Sequence, residues 1–276
     1  LTAPRQADNC HGWHHRHSDE GEDAVERLKA DGGAYGKRQP NSDNQTKNTP
    51  PWLLHSPIDL GYKDLLTEST EEGRKYVTPD GEKYPSITTV LGHFTKAGIM
   101  EWRKRVGEEE ANRISLHATT GGTALHKVCE RYLDNEEDYL NGTMPHVQGM
   151  FNSIKPILDG RIGLVYMQEV PLYSDHLRLA GRVDCVGEFD GVPSIIDFKT
   201  SKRSKTEEDI KDYYEQEAAY AVMFEERTKI PIVNLVTIMA VIDSKPLVFK
   251  EHRDNHVSDL ISKIKLYERE KGIRYA

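Results

Sequence analysis

Hydrophobic residues recur along most of this chain at the spacings of helices and strands, and their order predicts an α/β protein. Apolar positions three or four residues apart predict helices, whereas alternation over a few residues predicts strands. Helical spacing marks residues 86–91, 99–114, 123–133, 147–158 and 207–227 and a closing helix around residues 257–267. Strand patterns mark residues 164–172, 179–189, 192–201 and 233–242. This order is typical of an α/β sandwich, a mixed central β-sheet flanked by helices.

The strands at residues 179–189 and 192–201 are predicted to form one hairpin. The dipeptide Asp190-Gly191 lies between them, and Asp-Gly is a strong signal for a two-residue turn between antiparallel strands. Counting outward from that turn places Asp184 directly opposite Asp197. The sequence therefore predicts two carboxylates on one face of one ladder.

Two opposed carboxylates destabilise an ordinary sheet, because directly paired side chains have Cβ atoms only about 4.5–5.5 Å apart. A cation between Asp184 and Asp197 resolves the conflict, and Mg²⁺ is bound by one or two carboxylates with waters and phosphate oxygens. Lys199 follows Asp197 by two residues and returns to the same face. The same register pairs Lys199 with Arg182, so a plain charge cluster is an alternative. Pro193 could add a bulge and change the count.

Two further positions bear on this site. Glu169, in the predicted strand at residues 164–172, either faces the hairpin as an additional metal ligand or lies on the exposed face of an edge strand. His126 lies on the predicted helix that ends near residue 133, and Glu130 shares its helix face one turn later. A single helical histidine is more often structural than a ligand. As a ligand its tautomer could be fixed by Glu130.

Four motifs in order resemble the PD-(D/E)XK nuclease superfamily, in its RecB-like branch. GRVD supplies Asp184 as the first acid, and IIDFKTS supplies Asp197 and Lys199 as the (D/E)-x-K element. QEAAY, from Gln216 to Tyr220, resembles the branch's QxxxY motif, and GTALHKVCE resembles its helix with a ligand histidine. The resemblance implies a restriction-endonuclease-like core, a mixed sheet flanked by helices, and hydrolysis of DNA phosphodiesters.

The resemblance also implies roles for single residues. Asp184, Asp197 and Lys199 are the expected catalytic set, with Lys199 acting on the charged transition state rather than as a base. The expected ligands of Mg²⁺, or of Mn²⁺, are His126, Asp184, Asp197 and the backbone carbonyl of Phe198, with Glu169 as a further candidate. The residues expected to bind or position DNA, or the lysine, are Gln216, Tyr220, Thr200, Ser201, Arg182 and Ser86.

The segment YPSITTVL followed by MEWRKR resembles the region through which mitochondrial genome maintenance exonucleases and related phage nucleases guide DNA. Ser86 is a predicted N-cap there. The resemblance implies a helical arch that leads single-stranded DNA to the site. Without it, an amphipathic helix with a solvated basic face around Arg103, Lys104 and Arg105 is the simpler interpretation.

Composition restricts the range of functions. The chain has 276 residues, 30% of them charged, and a net charge of −8, which argues against a protein that coats duplex DNA non-specifically. Cys10, Cys129 and Cys185 form no CxxC, so neither an iron–sulfur cluster nor a disulfide framework is indicated. No apolar run approaches a membrane span and no secretory pattern is seen, so we expect a cytoplasmic protein, in a bacterial or phage-infected cell.

Residues 1–51 are predicted to be a disordered or non-domain tail, because they hold few large apolar residues. The tail contains four histidines, for which an unstructured polar tract is a simpler interpretation than a metal site: His11, His14, His15 and His17. Residues 52–276 are the expected nuclease domain, with a helical N-terminal part at about 84–135 and a catalytic core at about 160–276.

The sequence thus predicts a Mg²⁺-dependent deoxyribonuclease, an exonuclease acting on single-stranded DNA in replication, recombination or repair. Three different functions stay open at this point. One is a duplex-resecting recombination exonuclease or an endonuclease of the same fold. Another is an inactive nucleic-acid-binding module, and the last is a structural protein whose acidic cluster is a solvated face.

Overall fold

The computed structural model describes residues 52–273, so the predicted tail at residues 1–51 lies outside the described part. Its centre is a mixed six-stranded sheet with the order β1-β5-β6-β7-β8-β9, and the α/β class predicted from the sequence is confirmed. The strands are β1 (Leu54–His55), β5 (Ile162–Ser174), β6 (Leu179–Phe189), β7 (Val192–Ser201), β8 (Asn234–Val241) and β9 (Leu247–His252). The β1–β5 and β7–β8 pairs are parallel and the other neighbours are antiparallel.

A small antiparallel sheet near the start of the described chain has no counterpart in the sequence prediction. It contains β2 (Leu66–Thr70), β3 (Gly73–Val77) and β4 (Lys83–Pro85). Every residue of β2 is exposed, so the strand has no apolar alternation from which it could be recognised. Tyr76 and Tyr84 anchor this sheet to the central one, because they form a buried cluster with Tyr173 and Ala180.

The two helices that follow are longer than the sequence predicts. Helix α1 spans Ile87–Val106 and α2 spans Glu108–Leu133, whereas the apolar spacing indicates separate helices at residues 99–114 and 123–133. The helix ends instead at Gly107, whose φ of 91° is readily adopted by glycine and does not continue α1. Gly98, Gly121 and Gly122 stay helical, since a glycine inside a helix costs only about 1 kcal/mol and does not by itself end it.

The predicted N-cap of α1 is confirmed, because the Ser86 side chain accepts a hydrogen bond from the backbone N–H of Thr89. Residues 95–101 of α1 and 115–120 of α2 are exposed on all sides. These consecutive segments have no buried stripe, so the middle of this helical pair is not held by the core.

Three more helices cover the sheet: α3 (Pro145–Arg161), α4 (Lys211–Thr228) and α5 (Asp254–Glu270). A short 3₁₀ turn, Glu207–Ile210, leads into α4. The sheet separates two large apolar clusters. One joins residues of α1, α4 and α5 to Val186 and Ile195, and the other joins α2 and α3 to Cys185 and Ile196. Since consecutive strand residues point to opposite faces, both faces of the hairpin are buried under helices.

Within residues 52–273, no helix combines the length and the apolar character needed to cross a bilayer.

Candidate active site

The hairpin turn has the predicted geometry. Asp190 and Gly191 have φ values of 53° and 79°, the left-handed pair that matches the twist of antiparallel strands. Phe189 pairs with Val192, and the pairing continues to Cys185 and Ile196 without a bulge, so Pro193 does not shift the register. The predicted register is therefore confirmed along this part of the hairpin.

The β6–β7 pairing ends one step before the two acids. Its last pair is Cys185 with Ile196, and the next positions are Asp184 and Asp197. There a side chain replaces the backbone partner, because the N–H of Phe198 donates to Asp184 Oδ2 at 2.9 Å. The N–H and C=O of a strand residue face the same neighbour, so the Phe198 carbonyl is also directed toward β6.

The β5–β6 pairing is interrupted at the same level. Gln168 pairs with Cys185 and Val170 pairs with Val183, so Glu169 and Asp184 lie opposite each other without being a regular pair. Glu169 has a φ of 49°, which is uncommon for a residue other than glycine. Acids from three adjacent strands thus come to one level of the sheet, where its regular pairing is broken.

His126 from α2 joins two of these acids. Ligand atoms of His126, Glu169 and Asp184 all lie within 4.8 Å of one another, and His126 Nδ1 is 3.3 Å from Asp184 Oδ2. One imidazole and two carboxylates, with room for waters, form a donor set that fits Mg²⁺ or Mn²⁺. Glu169 therefore faces the hairpin, because its carboxylate lies in the same group of ligand atoms as that of Asp184 of β6.

Asp197, a predicted metal ligand, lies outside this three-ligand group. Its carboxylate forms an ion pair with Lys199 and accepts a hydrogen bond from Gln216 Nε2 at 3.3 Å. The three-ligand group contains Glu169, and Asp197 adjoins it as the partner of Lys199. The sheet register alone could not show whether the Asp197 carboxylate joins the metal ligands or pairs with Lys199, because the side-chain rotamer decides this.

The charges of the site act strongly on one another. Burial raises the pKa of Asp197 to about 6, with the Asp184 charge adding to the effect and Lys199 opposing it. Burial and the Asp184 charge also raise the pKa of Glu169 to about 7. Although burial lowers it, the hydrogen bond and charge of Asp184 raise the pKa of His126 to about 9. The raised pKa values of His126 and Glu169 show that the acids of this cluster favour a positive charge between them.

Asp184 and Lys199 are held in their charged forms. Burial would raise the pKa of Asp184, but the hydrogen bond and charge of His126 outweigh it and keep that pKa below its usual value. The pKa of Lys199 is raised despite burial, because Asp197 and Asp184 stabilise the ammonium. Lys199 is therefore protonated at neutral pH and is unsuited to act as a base.

Helix α4 holds the Asp197–Lys199 ion pair from one side. Gln216 bonds to Asp197, and its Nε2 lies 3.3 Å from the hydroxyl of Tyr220. Tyr220 is only 2% exposed, so it supports Gln216 and is not available to contact DNA. The tyrosine packs against Gly181 of β6.

Tyr213 and Lys205 also lie around Lys199, and sequence reasoning did not assign them. The Nζ atoms of Lys199 and Lys205 lie 5.1 and 5.0 Å from the Tyr213 ring centroid. Lys205 Nζ also donates to the Tyr213 hydroxyl at 3.1 Å. Tyr213 precedes Gln216 by one helical turn, and this spacing is the signal from which it could have been found.

Several predicted positions have other partners. The hydroxyl of Ser86, a residue only 2% exposed, caps α1. Ser201 Oγ donates to the Arg203 carbonyl at 2.6 Å. Thr200 is half-buried beside α2. Arg182 donates to the Glu169 carbonyl and to Asp64, so a charge cluster of Arg182 with Lys199 does not form.

Glu130 does not orient His126. Its carboxylate accepts a hydrogen bond from Lys127 Nζ at 2.8 Å, because Lys127 lies within one turn on the exposed side of α2. Asp184 occupies the Nδ1 side of the imidazole instead.

Comparison with known proteins gives three results. The profile of the PD-(D/E)XK nuclease superfamily matches residues 100–253. Mitochondrial genome maintenance exonuclease 1 of Mus musculus is 30% identical over 130 residues, a stretch that spans 44% of this chain and 38% of the mouse protein. A crystal structure from Eubacterium rectale, named as a candidate exonuclease, aligns at 12% identity with a TM-score of 0.39, over 58% of this chain and 69% of that one.

Proposed function

The chain belongs to the PD-(D/E)XK nuclease superfamily, and from this premise we propose that it is a divalent-metal-dependent exonuclease that degrades single-stranded DNA. Its place would be in DNA replication, recombination or repair. One observation carries the proposal: a three-ligand group of His126, Glu169 and Asp184 lies beside the buried ion pair of Asp197 and Lys199. An inactive binding module would have no need to keep these charges together, since their mutual repulsion is costly.

We assign the metal site to His126, Glu169 and Asp184, with Asp197 and the Phe198 carbonyl as the adjoining oxygen donors. A bound Mg²⁺ or Mn²⁺ would supply polarisation of the phosphoryl oxygen and a lowered pKa of bound water. Within the protein, Asp184 is oriented by the Phe198 N–H. His126, as a ligand, must lose its Nδ1 or Nε2 proton, so metal binding is expected to release a proton.

Lys199 has an electrostatic role in this proposal. Its ammonium is protonated and lies next to Asp197, where it can donate to a phosphate oxygen as negative charge develops. Gln216 keeps the Asp197 carboxylate in place, and Tyr220 supports Gln216. The segment after β7 supplies further cations for phosphate contacts, from Lys202 to Lys205. This local basic segment accommodates DNA despite the net charge of −8.

Two features support the preference for single strands. The segments at residues 95–101 of α1 and 115–120 of α2 are exposed, and the second lies on the helix that carries His126. The mouse relative is named as an exonuclease of mitochondrial genome maintenance. The matched stretch spans 38% of the length of that relative.

The test is degradation of end-labelled DNA with Mg²⁺, Mn²⁺ or EDTA, comparing wild type with Lys199→Ala. Linear single strands, blunt duplexes and closed single-stranded circles are digested in parallel. We expect metal-dependent loss of the linear single strand only, and a rate at least 100-fold lower for Lys199→Ala. Retained binding of DNA that stays intact under every metal condition would refute the nuclease and favour the binding module.

The choice of DNA substrates also distinguishes a single-strand exonuclease from related enzymes. Digestion of the blunt duplex as fast as the single strand would indicate a duplex-resecting enzyme, and cleavage of circles would indicate an endonuclease. The wild-type and Lys199→Ala proteins are compared by thermal melting with and without the metal. Because a ligand stabilises the state that binds it, Mg²⁺ or Mn²⁺ should raise the melting temperature, whereas a solvated acidic face predicts no such rise.

A further inference from the structure

Two ammonium groups contact the ring of Tyr213 on α4. Lys199 Nζ lies 5.1 Å from the ring centroid and Lys205 Nζ lies 5.0 Å from it. Lys205 Nζ also donates a hydrogen bond to the Tyr213 hydroxyl at 3.1 Å. Because both distances are measured to the same centroid, the two ammonium nitrogens are at most about 10 Å apart. A second lysine is therefore held close to the one assigned to the scissile phosphate.

The two lysines differ in how their charge is balanced. Lys199 forms an ion pair with Asp197, whereas within residues 52–273 no carboxylate forms an ion pair with Lys205. A half-buried ammonium beside another one costs free energy, and the Tyr213 ring offsets only part of that cost. An anion bound at Lys205 would supply the missing opposite charge.

The structure also fixes the position of Lys205 in the loop after β7. The next residue, Thr206, begins a turn in which its backbone N–H donates to Asp209 Oδ2 at 3.0 Å. Lys205 is half-buried, whereas the other basic residues of this loop, Lys202 and Arg203, are exposed. Lys205 is therefore the preorganised cation of the loop, since its ammonium already has a fixed place against α4.

The repeating chemistry of a DNA strand fits two cations at this separation. Phosphates recur once per nucleotide, and contacts to them set the position of a strand without reading its sequence. When Lys199 contacts the scissile phosphate, the neighbouring phosphate lies one backbone repeat away, within reach of an ammonium group at most about 10 Å from the first. A lysine binds such a phosphate as a point charge.

We propose that Lys205, held by Tyr213, binds the phosphodiester next to the scissile one and thereby sets how far the strand enters the active site. This assignment rests on the proposed nuclease function and names one contact of its substrate. A phosphate at the end of a strand has the same chemistry. The internal phosphodiester is the better match, because every strand carries one beside the bond to be cut.

The first experiment removes single charges from both partners. Single strands that carry one uncharged methylphosphonate at successive linkages are digested by wild type, Lys205→Ala and Lys205→Arg. The matched control is Lys211→Ala, since Lys211 is an exposed lysine at the start of α4 and pairs with Glu208 at 2.7 Å. A modified scissile linkage is expected to resist every protein, so the informative position is the linkage beside it.

In wild type and in the control, kcat/KM should fall about tenfold when the neutral linkage lies beside the scissile one, the scale of one lost charge-assisted hydrogen bond. Lys205→Ala should be about tenfold slower on unmodified DNA, through a higher KM, and insensitive to that linkage. Lys205→Arg should restore the position-specific effect, because it keeps the positive charge. Equal methylphosphonate profiles for wild type and Lys205→Ala would overturn the proposal.

Lys202→Ala shows whether one lysine or the whole basic loop is responsible. Because Lys202 is exposed, this variant should keep the position-specific effect. If it lost that effect as completely as Lys205→Ala, the assignment to Lys205 would be wrong.

Binding measured in EDTA tests the contact without cleavage. Each neutralised phosphate of a single strand contributes about 0.7 to the slope of log K against log salt concentration, so Lys205→Ala should have a shallower slope by about that amount and Lys211→Ala should not. A position-specific loss of affinity on methylphosphonate strands would support the contact even if no DNA is cleaved. Cleavage by wild type, together with equal slopes for wild type and Lys205→Ala, would overturn the contact but not the nuclease function. A wild-type protein that bound no DNA, with or without metal, would overturn both.

Strands with and without a terminal phosphate distinguish the two sources of the ligand. If Lys205 holds the end of the strand, removal of the terminal phosphate slows wild type but not Lys205→Ala, and an internal methylphosphonate has no position-specific effect. That combination would overturn the assignment to the internal phosphodiester. The expected result is an equal rate of wild type on the two kinds of end, together with the effect at the internal linkage.

Discussion

Replacing Gly181 by alanine should disturb the active site indirectly, by displacing Tyr220. A Cβ atom at Gly181 would lie 2.7 Å from Tyr220 Cε1 and 3.1 Å from both the Tyr220 hydroxyl and Ile87 Cγ2. Tyr220 is 2% exposed and Ile87 is fully buried, so neither side chain can move into solvent. The added methyl group therefore has to displace the tyrosine ring.

The cost has two parts. Overpacking of a filled core typically costs about 1–3 kcal/mol, and for a domain of this size each kcal/mol lowers the melting temperature by roughly 2–4 °C. Displacing Tyr220 also removes the support of Gln216, which bonds to Asp197. Loss of a hydrogen bond to a charged group, at about 1.5 kcal/mol, corresponds to a roughly tenfold lower rate.

Thermal melting and digestion of labelled single strands measure the two effects. Gly92→Ala is the matched control, because a Cβ there meets nothing within 4 Å on an exposed turn of α1. Helix propensity predicts that Gly92→Ala is neutral or stabilises the fold by up to about 1 kcal/mol. If Gly181→Ala melted and cleaved DNA like wild type, the proposed link from Gly181 to Asp197 would be wrong.

Three other substitutions test separate parts of the structure. Asp190→Asn keeps a residue that tolerates a positive φ, but it removes the ion pairs with Arg161 and Lys250 that lower the pKa of Asp190. Wild type should therefore be more stable by about 0.5–1 kcal/mol above pH 4, with the difference vanishing as pH falls through the acid range, as measured by urea unfolding. Tyr213→Leu should lower kcat about threefold or more, because it removes the ring that contacts Lys199. Tyr213→Phe should retain the ring contact and most of the activity. Equal losses in the two variants, or any further loss from Tyr213→Leu in a Lys199→Ala background, would contradict this role. Burial raises the pKa of Glu217 well above its usual value, which favours the neutral carboxyl group where it accepts a hydrogen bond from Thr237. Glu217→Gln should then change the unfolding free energy by less than about 1 kcal/mol, and a loss of about 3 kcal/mol or more in denaturant titrations would show that the charged form is needed.

The hairpin was predictable because its signals are local. Two positive-φ positions require residues such as Asp190 and Gly191, and the alternation on either side permits one register. The N-cap at Ser86 is equally local, since one side chain and one backbone N–H form it. Helices α3, α4 and α5 followed from their apolar spacing.

Other features depend on contacts between distant parts of the chain. The continuous helix α2 contains Gly121 and Gly122, and its packing against α3 and β7 offsets the poor helix propensity of glycine. Strand β2 is stabilised by pairing with β3 alone, so its own residues carry no apolar signal. The contact of Lys205 with Tyr213 joins a loop to a helix, and no spacing rule connects the two.

The arrangement of the acids was only partly predictable, and the reason lies in the broken pairing. A regular ladder would have placed Asp184 and Asp197 face to face, with Glu169 paired to Asp184. Instead the ladders stop at this level, Glu169 adopts a φ of 49°, and Asp184 takes the N–H that a backbone carbonyl would have bound.

This irregularity carries a physical argument for function. A chain under selection for stability alone would complete the ladder and place apolar residues at these positions, since buried like charges and a left-handed glutamate each cost free energy. The interruption lets three strands present carboxylates at one level while His126 approaches from α2. Such local departures from the rules of a sheet are expected where chemistry requires them. Glu169→Gly should therefore relieve the backbone strain, because glycine adopts a positive φ freely, yet weaken metal binding. A variant that bound metal as tightly as wild type would contradict this account.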